Sequence, residues 1–329
     1  MEDLNINVVR GFGIKHKYIT KEKSAYICHT DLGKKIIRKV TLDANQILFQ
    51  HELKKHLHDN GFCHLDMYVL SAQNKPYFEW NQEKYTMTDQ IQGKQADFQN
   101  KEDFKKVLIG TAQFHKLSEN FLYEGQTVSK NDRIHESFDR KIKELALIKK
   151  RLRKYTSLSD FDVIFIKHYD YYMELMVRAK DMLAHSAYDQ LVAEAKRKNT
   201  VCHNVLKEEN ILFNSKGEMV LSHFNDISVD PHIIDLAELI KRYVKILPED
   251  HLSLGEMIEI YSRIQPVSDA ELAVLEALLL FPSKFLKICS QYYSKKRSWI
   301  PGALNSRMQN LIAKKNMAEE FHSMLAYQT

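Results

Sequence analysis

Apolar positions along this 329-residue chain first alternate with polar ones and then settle into a helical period. Short runs rich in β-branched and aromatic residues fall at 8–17, 25–29 and 35–40. They are separated by Lys21-Glu22-Lys23 and Asp31-Leu32-Gly33, the pattern of a strand meander. Over residues 43–60, Ile47, Leu48, Leu53 and Leu57 recur at helical spacing. Two more strands are predicted at 65–71 and 85–91, with Tyr77-Phe78-Glu79-Trp80-Asn81 as the turn between them. Residues 89–96, with Gly93, read as a hinge, and the helical period dominates beyond it. Val107, Leu108, Ala112 and Leu117 mark a helix over 104–117, three helices are predicted within 133–198, and others over 233–247 and 272–281. The division predicted is a five-stranded sheet with one helix over residues 1–92, and a larger, mainly helical part over 93–329.

With 44% apolar and 10% aromatic residues the chain can bury substantial cores, and ten glycines and six prolines favour long helices over a turn-rich β-architecture. Cys28, Cys63, Cys202 and Cys289 are scattered, with no Cys-x-x-Cys pair, which argues against a zinc site or a disulfide framework and fits a reducing compartment. The amino terminus shows no basic segment followed by an apolar run, and no stretch reaches the roughly 18 apolar residues of a membrane span. Neither a secretory signal nor a membrane association is therefore expected.

A net charge of +5 from 48 basic and 43 acidic residues says little about partners. The basic stretch 140–155 carries Phe138, Ile142, Leu145, Leu152 and Tyr155 at near-helical spacing, so its charges read as a solvated face. Tyr292 to Trp299 interleaves aromatics with Lys295, Lys296 and Arg297, but nothing else points to nucleic acid. His115, on an apolar helix, reads as packed. Tyr169, Tyr171 and Tyr172 read as core and interlobe packing with hydroxyls at the rim. Gly11-Phe12-Gly13 precedes the first hairpin and reads as a turn, not a phosphate loop.

The chemistry concentrates at residues 201–239. His203-Asn204-Val205-Leu206-Lys207-Glu208-Glu209-Asn210 has the spacing of a kinase catalytic loop, in which an Asp accepts the hydroxyl proton and an Asn five residues later holds metal. Val205 stands at the Asp position. After an Asn214-Ser215-Lys216-Gly217 turn, a strand at 219–221 delivers His223-Phe224-Asn225 where Asp-Phe-Gly or Asp-Phe-Asp belongs. A metal site from Cys202, His203 and His223 needs side chains that nothing in their spacing makes converge.

On these residues the chain resembles the CotS-type spore-coat proteins, kinase-fold relatives of the aminoglycoside and choline phosphotransferases. It keeps His203, Lys207, Asn210, Phe224, Asp230 and Asp235-Leu236-Ala237, and departs at Val205, His223 and Asn225. Residues 83–93, Phe114-His115-Lys116-Leu117-Ser118 and Phe281-Pro282-Ser283-Lys284-Phe285 also look like family landmarks, so the likeness covers nearly the whole chain.

The resemblance implies an α+β, bilobal, protein-kinase-like fold: a small antiparallel-sheet lobe and a large helical lobe. It also implies that Asp235 holds the catalytic-loop backbone and that His203 supports it. The phosphate-binding lysine position falls on Arg38, with Lys39 adjacent. Glu52 is the expected ion-pair partner, and the alternative is that all three are ordinary surface charges. With Asn210 they would outline a vestigial nucleotide cleft. Magnesium prefers oxygen ligands, whereas His223 offers nitrogen, Asn225 an uncharged oxygen and Val205 no base. The expectation is a catalytically inactive member with no metal or cofactor, binding other spore-coat proteins in the mother-cell cytoplasm and the coat. The alternative is an active ATP- and magnesium-dependent small-molecule phosphotransferase whose metal site is rebuilt with Glu208, Glu209 or Asp226, its acceptor unidentified.

Overall fold

The computed structural model describes residues 4, 6–22, 25–62, 64–127, 129–131, 133–246, 250–294 and 302–313. Lys23 of the expected turn, Cys63, and the basic aromatic positions Lys295, Lys296, Arg297 and Trp299 lie outside them. The described chain opens with a helix, α1 (Ile6–Gly11), where a strand was expected. Val8 and Phe12 stand one turn apart and are buried with Val9, and Gly13, at φ +67°, ends the helix in a left-handed conformation.

The meander follows as β1 (His16–Glu22), β2 (Ala25–Thr30) and β3 (Gly33–Val40). α2 (Ala44–Asp59) comes next, opened by a reciprocal capping box between Asp43 and Gln46. The last two strands of the antiparallel sheet are β4 (Phe78–Trp80) and β5 (Glu83–Asp89), in the order β1-β2-β3-β5-β4. Here the expected boundaries shift. Residues 77–81 are not the turn; the chain reverses at Asn81 and Gln82, both at positive φ, as in a two-residue hairpin. Residues 65–71 alternate like a strand but make only isolated bridges, Leu65 to Leu221 and Tyr68 to Thr88.

The pleat of β3 sorts its side chains. Ile37 enters a small core with Val8, Val9, Phe12, Cys28 and Met87 beneath α1. Arg38 takes the opposite face, where it reaches His223 of the large lobe.

Beyond Gly93, β6 (Lys94–Gln95) leads into α3 (Lys101–Leu117), the central helix of the large lobe. Then come α4 (Ile134–Leu152), α5 (Asp160–His185) and α6 (Tyr188–Lys198), followed by the short strands β7 (Val201–Cys202), β8 (Ile211–Phe213), β9 (Met219–Leu221) and β10 (Ser228–Val229). The order continues with α7 (Ile233–Ile246), α8 (Leu254–Ser262), α9 (Asp269–Leu280), α10 (Ser283–Tyr293) and α11 (Gly302–Ala313). β6 pairs with β8 and β8 with β9, while β7 pairs with β10, so the loop after β7 and the turn after β9 are held at one end of the large lobe.

The aromatics of α5 pack within the large lobe and not between lobes, Tyr172 stacking on Phe285 and Phe161 on Tyr292 at 3.8 Å between centroids. The lobes are tied instead by the segment between α3 and α4. Phe121 and Tyr123 pack against Phe49 of α2, and the Tyr123 hydroxyl donates to Asn45. No described helix is long and apolar enough to cross a membrane.

Candidate functional site

The site is built around one buried carboxylate. Asp235, in the first turn of α7, accepts the backbone N–H groups of His203 at 2.6 Å and Asn204 at 2.8 Å, and the His115 ring at 3.1 Å. Burial pushes this carboxyl up, but the hydrogen bond from His115 and the electrostatic contribution of its ring, with help from His203, outweigh it and hold the group below its ordinary value. Asn204 sits at φ +65°, so the loop leaves β7 through a left-handed residue pinned by Asp235. The His203 ring, fully buried and kept neutral by burial, donates from Nε2 to the Ser222 carbonyl at 3.1 Å. Loop and metal strand are thereby joined.

Asn210 Nδ2 donates to the Val205 carbonyl at 2.8 Å, and the Asn210 carbonyl accepts from Ser222 N. Its side chain therefore closes the loop upon itself. Val205 is half-buried, and Lys207 pairs with Glu209 at 3.0 Å. His223, at φ +64°, turns the chain out of β9. Its Nδ1 meets Ser222 Oγ at 2.9 Å, its N–H donates to Asp66 Oδ2 at 3.2 Å, and its Nε2 lies 3.4 Å from an Arg38 nitrogen. Burial and the adjacent Arg38 charge lower its pKa, so the ring is neutral near pH 7. Asn225 is exposed on the 3₁₀ turn Phe224–Asp226.

The expected ion pair of Arg38 or Lys39 with Glu52 does not form. Lys39 lies on the face away from Arg38 and pairs with Glu83 at 3.1 Å, and Glu52 is half-buried beside Lys55. The residue α2 buries is Lys54. Its ammonium is 2.6 Å from Asp66 Oδ1 and 2.7 Å from the Asp66 carbonyl, with the rings of Tyr68 at 4.1 Å and Phe224 at 4.8 Å. One turn earlier, buried Gln50 accepts from the Tyr68 hydroxyl. A signal for this existed, since Gln50 and Lys54 fall on the same helical stripe as Ile47 and Leu57. Spacing favoured that stripe, whereas charge complementarity favoured Glu52.

Asp230 was legible as a motif residue, but its role was not. It gathers Ser129 Oγ at 2.6 Å, the N–H groups of Lys130 and Asn131, and Asn131 Nδ2. Lys130, so placed, pairs with Asp226 at 2.8 Å. Each carboxylate proposed for a rebuilt metal site is thus engaged: Asp226 by Lys130, Glu209 by Lys207, and Glu208 by the Phe98 N–H at 3.0 Å. Asp66 is committed to Lys54 and His223. The donor set of nitrogen, exposed amide and aliphatic side chain, next to Arg38, does not fit magnesium.

Cys202, His203 and His223 do not converge either. The Cys202 thiol contacts the Asp230 and Pro231 carbonyls, and the His203 ring turns to Ser222. The polar ligand atoms that do cluster are those of His115, Cys202 and Asp235, within 4.8 Å of one another. Asp235 is already filled by N–H donors, His115 also meets the Tyr261 hydroxyl, and burial keeps the Cys202 thiol protonated. This is a structural knot.

A small antiparallel-sheet lobe above a helical lobe, with a loop and strand arranged this way, defines a kinase-fold protein of the phosphotransferase kind. The profile of the family described as spore coat putative kinase YutH matches residues 6–325, and the chain belongs to that family. It is 24% identical over 323 residues to spore coat protein S of Bacillus subtilis (strain 168), covering 94% of this chain and 90% of that protein. Among solved structures it is similar to an aminoglycoside phosphotransferase from Alicyclobacillus acidocaldarius (TM-score 0.87, 15% identity, 100% of this chain and 97% of the other). It is also similar to a microcompartment-associated aminopropanol kinase (TM-score 0.62, 11% identity, 97% of each). At such identities these two show the fold alone.

Proposed function

We propose that this spore-coat family member is a catalytically inactive kinase-fold protein, serving as a binding or assembly component among other coat proteins. The observation that carries the reading is the fate of the carboxylates. Val205, His223 and Asn225 stand where a base and metal ligands would be needed, and each nearby acid is tied to a cation or to backbone N–H. A general base alone is worth about 10² to 10⁴ in rate, and losses within one catalytic unit compound. What remains is what the backbone needs: Asp235 on the loop, His203 on the metal strand, and Asn210 closing the loop.

The reading includes no magnesium-dependent chemistry, partners drawn from the coat, and residence in the mother cell before the coat. Its alternative, an active small-molecule kinase, requires Asp226 or Glu209 to abandon its lysine and turn inward. The test is purified protein with ATP and magnesium, followed for phosphate release and transfer. No turnover above a protein-free control is expected. Robust turnover that Asn210→Ala abolishes would overturn the proposal.

A further inference from the structure

Residues 140–154 hold eight basic side chains and one acidic, a surplus of seven that exceeds the +5 of the whole chain. The rest of the chain is therefore slightly acidic, and the positive charge of the protein sits on α4 from Arg140 onward and on the turn after it. Lys149 pairs with Asp170 of α5 at 2.7 Å. Lys143, Lys150, Arg151, Arg153 and Lys154 are exposed, and among the described residues no carboxylate lies within ion-pair distance of any of them.

Attraction to the helix dipole accounts for cations in the last turn of α4, but not for Lys143 or for the apolar side chains set among them. Lys143, Leu147, Lys150 and Lys154 are four, three and four residues apart and form one outward stripe, on which Leu147 is 59% exposed. Tyr155, which spacing assigned to the buried face, is 43% exposed in the turn that follows. On α5, Val163, Ile166 and Val177 are exposed on the stripe that contains Asp170, so the pair with Lys149 sets them beside the basic face. Solvation accounts for the lysines, but not for large aliphatic groups gathered among them.

We infer that the outward side of α4 and the adjoining stripe of α5 dock an acidic, amphipathic segment of a partner protein, with carboxylates flanking large apolar side chains at helical spacing. Lys143 to Lys154 span about 16 Å, which sets the segment at about three helical turns. Its carboxylates meet the unpaired cations, and its apolar side chains cover Leu147, Val163 and Ile166. A polypeptide fits better than an anionic bilayer or a nucleic acid. Asp160, Glu174 and Asp181 are exposed on the outer side of α5 and repel a continuous anionic surface, whereas a polypeptide places its charges one by one. The inference rests on the reading of this protein as an assembly component and names the surface it uses.

Fluorescence anisotropy tests it with two labelled peptides of about 15 residues, one of Glu and Leu that is amphipathic as a helix, the other with every Leu replaced by Ser. Saturable binding of the Glu/Leu peptide is expected, weakening with added salt and weaker by about threefold or more for the Glu/Ser peptide. The triple variant Lys143→Glu, Lys150→Glu, Lys154→Glu should weaken it about tenfold or more, and the milder triple change to Gln should act in the same direction. Reversing the exposed Arg10, Lys15 and Lys34 of the small lobe to Glu changes the net charge equally and should leave binding within about twofold. Leu147→Ser with Val163→Ser should abolish the preference for Leu over Ser. No binding, equal loss from the two charge reversals, or tighter binding to phosphatidylserine vesicles or duplex DNA would overturn the surface. Absent peptide binding together with absent ATP turnover strikes the surface alone, whereas turnover strikes the reading of inactivity alone.

Discussion

Lys54→Met separates an internally wired cleft from a vacated enzyme site. The Lys54 side chain is 1% exposed and that of Asp66 10%, so the pair lies in a low-dielectric setting. Burial and the like charge of Arg38 oppose the ammonium, burial most, and Asp66 is its counterion. Methionine keeps the length and apolar stem of lysine but strands Asp66, whose other side-chain hydrogen bond among the described residues is from the His223 N–H. Breaking one partner of a buried pair costs about 3 to 5 kcal/mol, a third or more of the stability of many domains. Asp66→Asn should cost a similar amount, because it strands the lysine. The double variant removes both charges and leaves two groups of nearly native volume, so it should recover at least about 2 kcal/mol of the summed losses. Urea denaturation followed by circular dichroism at neutral pH supplies the cycle. A single-variant loss below about 1 kcal/mol, or strict additivity, would refute the role given to this pair.

Two further outcomes follow from the buried groups. Asp235→Asn replaces an acceptor with an amide that meets N–H donors, so it should cost about 3 to 5 kcal/mol. Amide hydrogen exchange over residues 203–210 should accelerate even where helical content is kept. His232, buried in α7's approach, is lowered to about 3 by burial and by His115. Glu271 Oε1 lies 3.1 Å away without hydrogen-bond geometry and does not reverse this. Because the unfolded chain takes up this proton near pH 6.5 and the folded chain does not, stability is intact above that pH and falls as pH drops toward 3. At pH 5 the loss from His232 is about 2 kcal/mol, and buried His203 acts in the same direction. Melting midpoints between pH 7.5 and 5 should drop, and His232→Phe should flatten the drop; an unchanged slope would count against it.

The large lobe was legible because its helices carry their own period: α3 through α7 fall where the apolar spacing puts them. Asp235 and its loop were legible because the residues involved lie within one continuous segment. Residues 8–17 were misread because Val8, Val9 and Phe12 fit strand or helix equally at that length. The hairpin at Asn81 and Gln82 carries no glycine to mark it, and the alternation at 65–71 competes with the aromatic residues before the hairpin for the strand. The Lys54 and Asp66 pair was illegible for another reason. Whether a lysine on an amphipathic helix is solvated or buried depends on a counterion supplied by an extended segment and on a Phe224 ring contributed by the other lobe.

That dependence points to how the two lobes are coupled. In a kinase-fold enzyme, nucleotide and metal bridge the sheet lobe to the catalytic loop. In this protein the bridge is made by the chain itself. Asp66 joins Lys54 to the His223 N–H, Arg38 reaches the same histidine, Leu65 pairs with Leu221, and His64 meets Glu218 at 2.8 Å. On the other side, Tyr123 grips α2 while Lys130 and Asn131 hold the turn after β9 and the loop after β7. At the end of β9 the His223 backbone N–H, which any residue but proline would supply, meets Asp66, and the histidine ring adds the contact with Arg38, so both contacts join the lobes at this position.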